Sequence, residues 1–218
     1  MTEYENPIGE PRWLDWAKRL QAVAQDGLTY ADNPFDLKRY ETVRQVAAEI
    51  LAAQTGADME RILDVFAQQV GYPTPKVDVR GVVVRADGGL LMVREGIDGR
   101  WSLPGGWADV SEAPSRAIER EILEEAGYVA RAGKLLAVYD RTLHGHEPPY
   151  PFHVYKLFFH CELLDERQRE ERDVTEILDC GWFAEGALPP LSLGRVTSSQ
   201  LARMFEHVRD PGLPTDFD

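Results

Sequence analysis

Leu103–Tyr128 reads LPGGWADVSEAPSRAIEREILEEAGY. Its second half has helical spacing, with Ile118, Ile122 and Ala126 forming one apolar stripe that can dock on a sheet. Ser111 is placed to cap this helix, Pro114 is tolerated in its first turn, and Gly127 ends it. At about 100° per residue, Glu121, Glu124 and Glu125 share a face beside the stripe. Carboxylates crowded on one side of a docked helix repel one another, and Arg120 is the cation that face offers. A divalent ion resolves the crowding, because Mg²⁺ and Mn²⁺ take hard oxygen ligands. Arg120 would then orient a carboxylate from behind. Gly105-Gly106 would let the backbone approach closely and present a carbonyl. The plainer alternative is an acidic helix facing solvent.

The same residues fit the pattern G-x5-E-x7-R-E-U-x-E-E-x-G-U, where U is a bulky aliphatic residue. Gly106, Glu112, Arg120, Glu121, Ile122, Glu124, Glu125 and Gly127 stand in register, and only Tyr128 departs, at a packing position. This resembles the signature of the Nudix hydrolases. The resemblance implies an α/β (α+β) domain, an α/β/α sandwich with a mixed sheet, that hydrolyses a diphosphate bond with Mg²⁺ (or Mn²⁺). It implies catalytic roles for Glu112, Arg120, Glu121, Glu124 and Glu125. Of these, Glu121, Glu124 and Glu125, with the Gly105 carbonyl, would hold metal, while Glu112 and Arg120 brace the loop and helix.

Around the motif the periodicity is that of a sheet. Val77, Val79, Gly81 and Val83 alternate, and Asp87-Gly88-Gly89 turns the chain into Leu90–Arg94. Further strands are expected at Leu135–Arg141, at His153–Leu163 and around Trp182-Phe183, with a last helix over Thr197–Val208. Four residues outside the motif are substrate-binding candidates. Arg80 and Arg94 have guanidinium forks suited to phosphate, against the alternative of surface arginines. Trp107 can stack on a base or pack beneath its loop. His144 opens a proline-rich loop that would lie over the substrate, against the alternative of simple solvent exposure. His144-Gly145-His146 also has the form of half a Zn²⁺ site, but no third ligand is near in sequence. Glu166–Asp173 reads as a solvated loop, with a general base from it as the alternative.

The first part of the chain is helical. Trp13, Ala17, Leu20 and Ala24 recur at helical spacing after Pro11. Asn33-Pro34 is a cap and first-turn proline for a second run, ended by Gly56, and a third carries Ile62, Leu63, Phe66 and Val70. Residues 1–72 therefore form a small all-α domain, 73–76 a proline-rich linker, and 77–218 the Nudix-like domain. The aromatic residues Trp13, Trp16, Tyr40 and Phe66 suggest that the helical domain makes a homodimer. This layout resembles Nudix hydrolases with a helical N-terminal domain, and so implies nucleoside-diphosphate-linked substrates such as ADP-ribose or CDP-choline, giving NMP plus a phosphorylated group. The place where ADP-ribose-selective members carry a proline falls at His144 here, which favours CDP-alcohols or a broad preference. Triphosphate house-cleaning and a non-catalytic nucleotide sensor are the other readings.

Of the 218 residues, 37 are acidic and 24 basic, for a net charge of −13. That balance disfavours nucleic acid and anionic membranes as partners. No apolar run reaches the roughly 20 residues of a membrane span. An acidic, polar start and two cysteines point to a cytoplasmic protein with reduced thiols.

Overall fold

The computed structural model describes residues 10–169 and 175–218. The chain forms two compact units. One ends at Pro75 and takes in Pro149–His153; the other is Lys76–Pro148 with Val154–Asp218.

Among the described residues, the first unit holds three helices, α1 (Arg12–Tyr30), α2 (Pro34–Thr55) and α3 (Met59–Ala67). Asn33 caps α2 by accepting from the Phe35 amide, with Pro34 in the first turn, as its sequence requires. Leu14, Ala17, Ala47, Ala48, Leu51 and Phe66 make the core. The α1–α2 contact is close enough that a Cβ on Gly27 would lie 2.4 Å from the Tyr40 ring. The third helix is shorter than its apolar spacing suggests: it stops at Ala67, and Val70 is 80% exposed. The aromatic face expected at the surface is mostly spent inside. Phe66 is buried, Trp13 packs on it, and of the four residues only Trp16 is strongly exposed.

The second unit is mixed α+β. A four-stranded sheet runs β1 (Lys76–Val82), β5 (Val154–Leu163), β4 (Ala130–Asp140), β7 (Asp216–Phe217). β1 and β7 lie parallel to their neighbours and β4 antiparallel to β5. A three-stranded antiparallel sheet runs β3 (Trp101–Ser102), β2 (Leu90–Glu95), β6 (Ile177–Phe183). The turn at Asp87–Gly89 closes through the Val84–Leu90 bridge, so it hands the chain from one sheet to the other.

Strand alternation feeds two cores on opposite faces. Val79, Val83, Leu91, Val93, Phe159 and Cys161 pack against Ala117, Ile118, Ile122 and Ala126 of the motif helix, α4 (Pro114–Glu121), and its continuation. Val82, Leu90, Met92, Leu136 and Phe158 pack against Leu201, Met204 and Phe205 of α5 (Ser198–Arg209). Thr197 and Gln200 form a capping box at the start of α5. The sheets therefore lie between two helices, the sandwich expected. Two details differ from the sequence reading. Ser111 does not cap α4: the cap position is Ala113, and Ser111 sits ahead of it with φ 68°. β4 begins five residues earlier than its apolar run, because Ala130–Lys134 pairs with Leu163–His160 through backbone groups that composition does not reveal. Cys161 and Cys180 are not joined in a disulfide, and burial pushes the Cys161 thiol up to about 12. No helix among the described residues is long and apolar enough to cross a membrane.

Candidate active site

The loop before α4 lies along β1 like an extra strand. The Gly81, Val79 and Ala108 amides bond the Pro104, Gly106 and Val77 carbonyls at 2.9, 2.8 and 3.0 Å. This proximity explains the glycine pair. Gly105 has φ 143°, and a Cβ there would stand 2.0 Å from the Val79 carbonyl oxygen, so no other residue fits. A Cβ on Gly106 would stand 2.9 Å from Glu121 Oε1. The Gly105 N–H donates to Glu125 Oε2 at 2.7 Å. Loop and helix thus press two carboxylates against bare backbone.

Burial pushes the Glu125 carboxyl up to about 8, although the Arg80 charge and the Gly105 amide both favour its ionised form. Glu121 is raised for the same main reason, with Arg120 opposing. Two carboxyls that desolvation makes reluctant anions are a fitting seat for a hard divalent cation, which would restore the charge balance. No three His, Cys, Asp or Glu side chains among the described residues form a ready-made cage.

Arg120 ties the outer carboxylates together. Its Nε and Nη2 donate to the two oxygens of Glu112 at 3.1 and 3.0 Å. Its Nη1 donates to Glu121 Oε1 at 3.0 Å and Glu124 Oε2 at 2.9 Å. These bonds hold Glu112 below its usual range and lift the guanidinium above its own. Glu124 is exposed, and Glu121 and Glu125 are partly buried. After Glu121 the helix widens into a π turn over Ile122–Ala126 and ends at Gly127, in the left-handed conformation with φ 73°. The π turn falls on Glu124 and Glu125; such turns gather at functional sites. Tyr128, the residue that breaks the motif pattern, is 5% exposed, and its hydroxyl accepts from Trp182 Nε1 at 3.1 Å and Arg85 Nη2 at 3.3 Å. A polar partnership replaces the aliphatic contact there.

The candidates outside the motif fare differently. Arg80 is 0% exposed, and its fork is taken by Asp78 at 2.9 and 2.8 Å and by the Leu103 carbonyl at 3.0 Å. This corrects its reading as a phosphate clamp, since no N–H faces solvent. Arg94 is exposed on β2, where its Nε donates to the Gly99 carbonyl at 2.9 Å, so it serves the β2–β3 turn. Trp107 follows the glycine pair and is 41% exposed, so it does not pack beneath the loop. His144 Nε2 meets Asp218 Oδ1 at 2.9 Å, and its ring lies on Tyr139. His146 is buried, bonded to the Leu193 carbonyl at 2.8 Å and to Gln200 at 3.2 Å. The two histidines serve different partners and make no metal pair. Residues 165–169 reach the end of the motif helix, where the Arg169 amide bonds the Gly127 carbonyl at 2.8 Å. Glu170–Asp173, within the stretch read as a loop able to supply a base, lie outside the described residues.

Sequence reasoning missed Asp78 and Lys156. Lys156 Nζ donates to Asp78 Oδ1 at 2.8 Å, and both are buried. The Arg80 and Lys156 charges hold Asp78 far below the carboxylate range, while burial first, then Arg80, brings the Lys156 amine down to about 7. The signal was present: Asp78-x-Arg80 places opposite charges on one face of a strand that also carries Val77, Val79 and Val82.

Comparison with known proteins agrees with this geometry. Residues 74–204 match the NUDIX domain model, and residues 11–66 match the model described as a UDP-X-like, N-terminal oligomerisation domain. The chain is 40% identical to the Bacillus subtilis protein called "Putative ADP-ribose pyrophosphatase YjhB" over 209 residues, covering 96% of this chain and 98% of that one. Among solved structures, a UDP-X diphosphatase aligns with TM-score 0.59 and 32% identity, covering 95% of this chain and 98% of the other. An ADP-ribose pyrophosphatase from Streptococcus suis aligns with TM-score 0.58 and 37% identity, covering 66% of this chain and 100% of the other. With the motif, the sandwich and these relatives in agreement, the chain belongs to the Nudix family and is a Nudix pyrophosphohydrolase.

Proposed function

We propose that this enzyme splits the diphosphate of a nucleoside diphosphate linked to a second group, such as ADP-ribose or a UDP- or CDP-linked compound, using Mg²⁺ held at Glu121 and Glu125. The observation that carries the reading is the pair of reluctant carboxyls pressed against Gly105-Gly106. The relatives called ADP-ribose pyrophosphatases and UDP-X diphosphatase support the substrate class. They also favour ADP-ribose more than the residue at His144 does. A bound divalent ion supplies charge neutralisation for the phosphate oxygens and acidifies water at the site.

The chain's own groups supply the rest. Glu124, exposed and held by Arg120, serves a further ion or its water. Glu112 and Arg120 brace the helix against the loop, so that the carboxylates keep their positions as substrate arrives. Trp107 offers an exposed indole beside the glycine pair for a base to stack on. The helical domain supports a dimer, in keeping with the oligomerisation domain its sequence matches.

The test is a panel of ADP-ribose, UDP-sugars, CDP-choline and nucleoside triphosphates, with Mg²⁺ or Mn²⁺ and both products identified. NMP plus a phosphorylated group is expected. Turnover confined to triphosphates, with pyrophosphate released, would replace this reading with house-cleaning. Binding without turnover would make the domain a sensor.

A further inference from the structure

We propose that Arg80, backed by Asp78 and Lys156, is a positioning residue that sets the Leu103–Gly105 segment so that the Gly105 amide holds Glu125. This rests on the metal-dependent reading above.

The chain of contacts is continuous. Lys156 Nζ and Arg80 Nε share Asp78 Oδ1 at 2.8 and 2.9 Å, and Arg80 Nη2 takes Oδ2 at 2.8 Å. The remaining arm of the fork, Nη1, reaches the Leu103 carbonyl at 3.0 Å and Ser102 Oγ at 3.4 Å. Two residues further on, the Gly105 amide donates to Glu125. Ser102 Oγ also donates to Glu95 Oε1 at 2.7 Å, so the strand leading into the loop is held from two sides. The backbone of β1 grips the same segment through Val79 and Gly81.

Stability does not account for this arrangement. Taking an arginine, an aspartate and a lysine out of water costs several kcal/mol per ion, and apolar residues of similar volume serve a core as well or better. A fixed direction is what the charges provide. Only a planar fork can hold a carboxylate bidentately and still place a third N–H on a carbonyl; lysine is a point charge and reaches one partner. Asp78 sets the plane of the guanidinium, Lys156 sets Asp78, and the free arm fixes Leu103. A loop with two glycines has little stiffness of its own, so its register against Glu125 is the property that needs such a guide.

The test uses the full chain with Arg80→Lys and Asp78→Asn. Calorimetric titration with Mg²⁺ and with Mn²⁺ reads metal affinity apart from turnover; circular dichroism and urea unfolding read the fold. Metal affinity about 10- to 100-fold weaker is expected, with a matching loss in kcat and nucleotide KM within about threefold. Phe205→Leu, in the core under α5, lowers stability without touching this chain of contacts and should bind metal as the wild type does. Folded Arg80→Lys and Asp78→Asn proteins with wild-type metal affinity and kcat overturn the proposal. If neither folds, Ser102→Ala removes one contact of the Nη1 arm at little steric cost. A loss of about threefold in metal affinity supports the proposal, and an unchanged value overturns it. A wild-type protein that binds no divalent ion overturns the metal reading and this inference together, whereas variants that match a metal-binding wild type overturn only this one.

Discussion

Two arginines in this molecule each gather carboxylates, and their surroundings separate their roles. Arg120 holds Glu112, Glu121 and Glu124 at 2.9–3.1 Å with its side chain 30% exposed. Arg80 holds Asp78 at 2.8–2.9 Å with its side chain 0% exposed, and Lys156 shares one oxygen of that carboxylate with it. The bond lengths are nearly the same. At the open cluster water competes, and removing one contact costs little stability. In the sealed cluster an orphaned charge has no water to turn to. The first suits a site where an ion and a phosphate arrive and leave; the second suits a fixed frame.

The largest effect expected bears on the open cluster. Glu121→Gln keeps size and hydrogen-bonding shape and removes one charge from the loop-backed pair. It should lower kcat by at least about 100-fold with the urea midpoint unchanged, whereas Glu124→Gln, at an exposed position, should lose about 10-fold. Wild-type turnover in both would dissolve the distinction between this helix face and any acidic surface.

Next comes the sealed cluster. Asp78→Ala leaves Arg80 and Lys156 buried without their counter-charge and should cost about 3–5 kcal/mol in urea unfolding. A cost under about 1 kcal/mol would mean that the cluster behaves as a surface pair. The reverse pattern is expected of Arg120→Met, which should change stability by no more than about 1 kcal/mol while lowering kcat about 10- to 100-fold. Equal stability losses in the two variants would erase the contrast.

The smallest effect is on pH. His146 is bonded to Gln200 and the Leu193 carbonyl, and its imidazole is brought from 6.5 down to about 3, chiefly by burial and then by the Lys156 charge. The unfolded chain therefore binds the extra proton between those values. His146 contributes stability above pH 6.5 that fades as pH falls toward 3. Urea midpoints at pH 7.5 and 5 should differ less in His146→Gln than in the wild type; an identical difference in the two proteins refutes the assignment.

Much of this was legible in the chain, because residue type and spacing carry it. Asn33-Pro34 names the start of α2, and Ile118, Ile122 and Ala126 name the face on which the motif helix docks. The carboxylates at Glu121, Glu124 and Glu125 were marked by their crowding, and the fold sets Glu121 and Glu125 against the glycine loop. The rest depended on partners remote in sequence. Arg80 read as a phosphate-suited fork because its buried partners are not visible in composition; the register that brings Lys156 across from Asp78 belongs to a parallel pairing of distant strands. The π turn over Ile122–Ala126 is a choice among backbone hydrogen bonds with no mark in composition. Ser111 resembled a cap, but the chain turns through a left-handed residue there and starts its helix three residues later, at Pro114.

The most direct test of the account is turnover of ADP-ribose by the wild type and by Glu125→Gln across a Mg²⁺ titration, with products separated and urea stability measured in parallel. The account predicts AMP and ribose phosphate from the wild type in proportion to added Mg²⁺. It predicts a folded Glu125→Gln protein that turns over at least about 100-fold more slowly at every Mg²⁺ concentration. A folded variant that matches the wild type, or a wild type whose rate ignores Mg²⁺ and its removal by chelator, would contradict it.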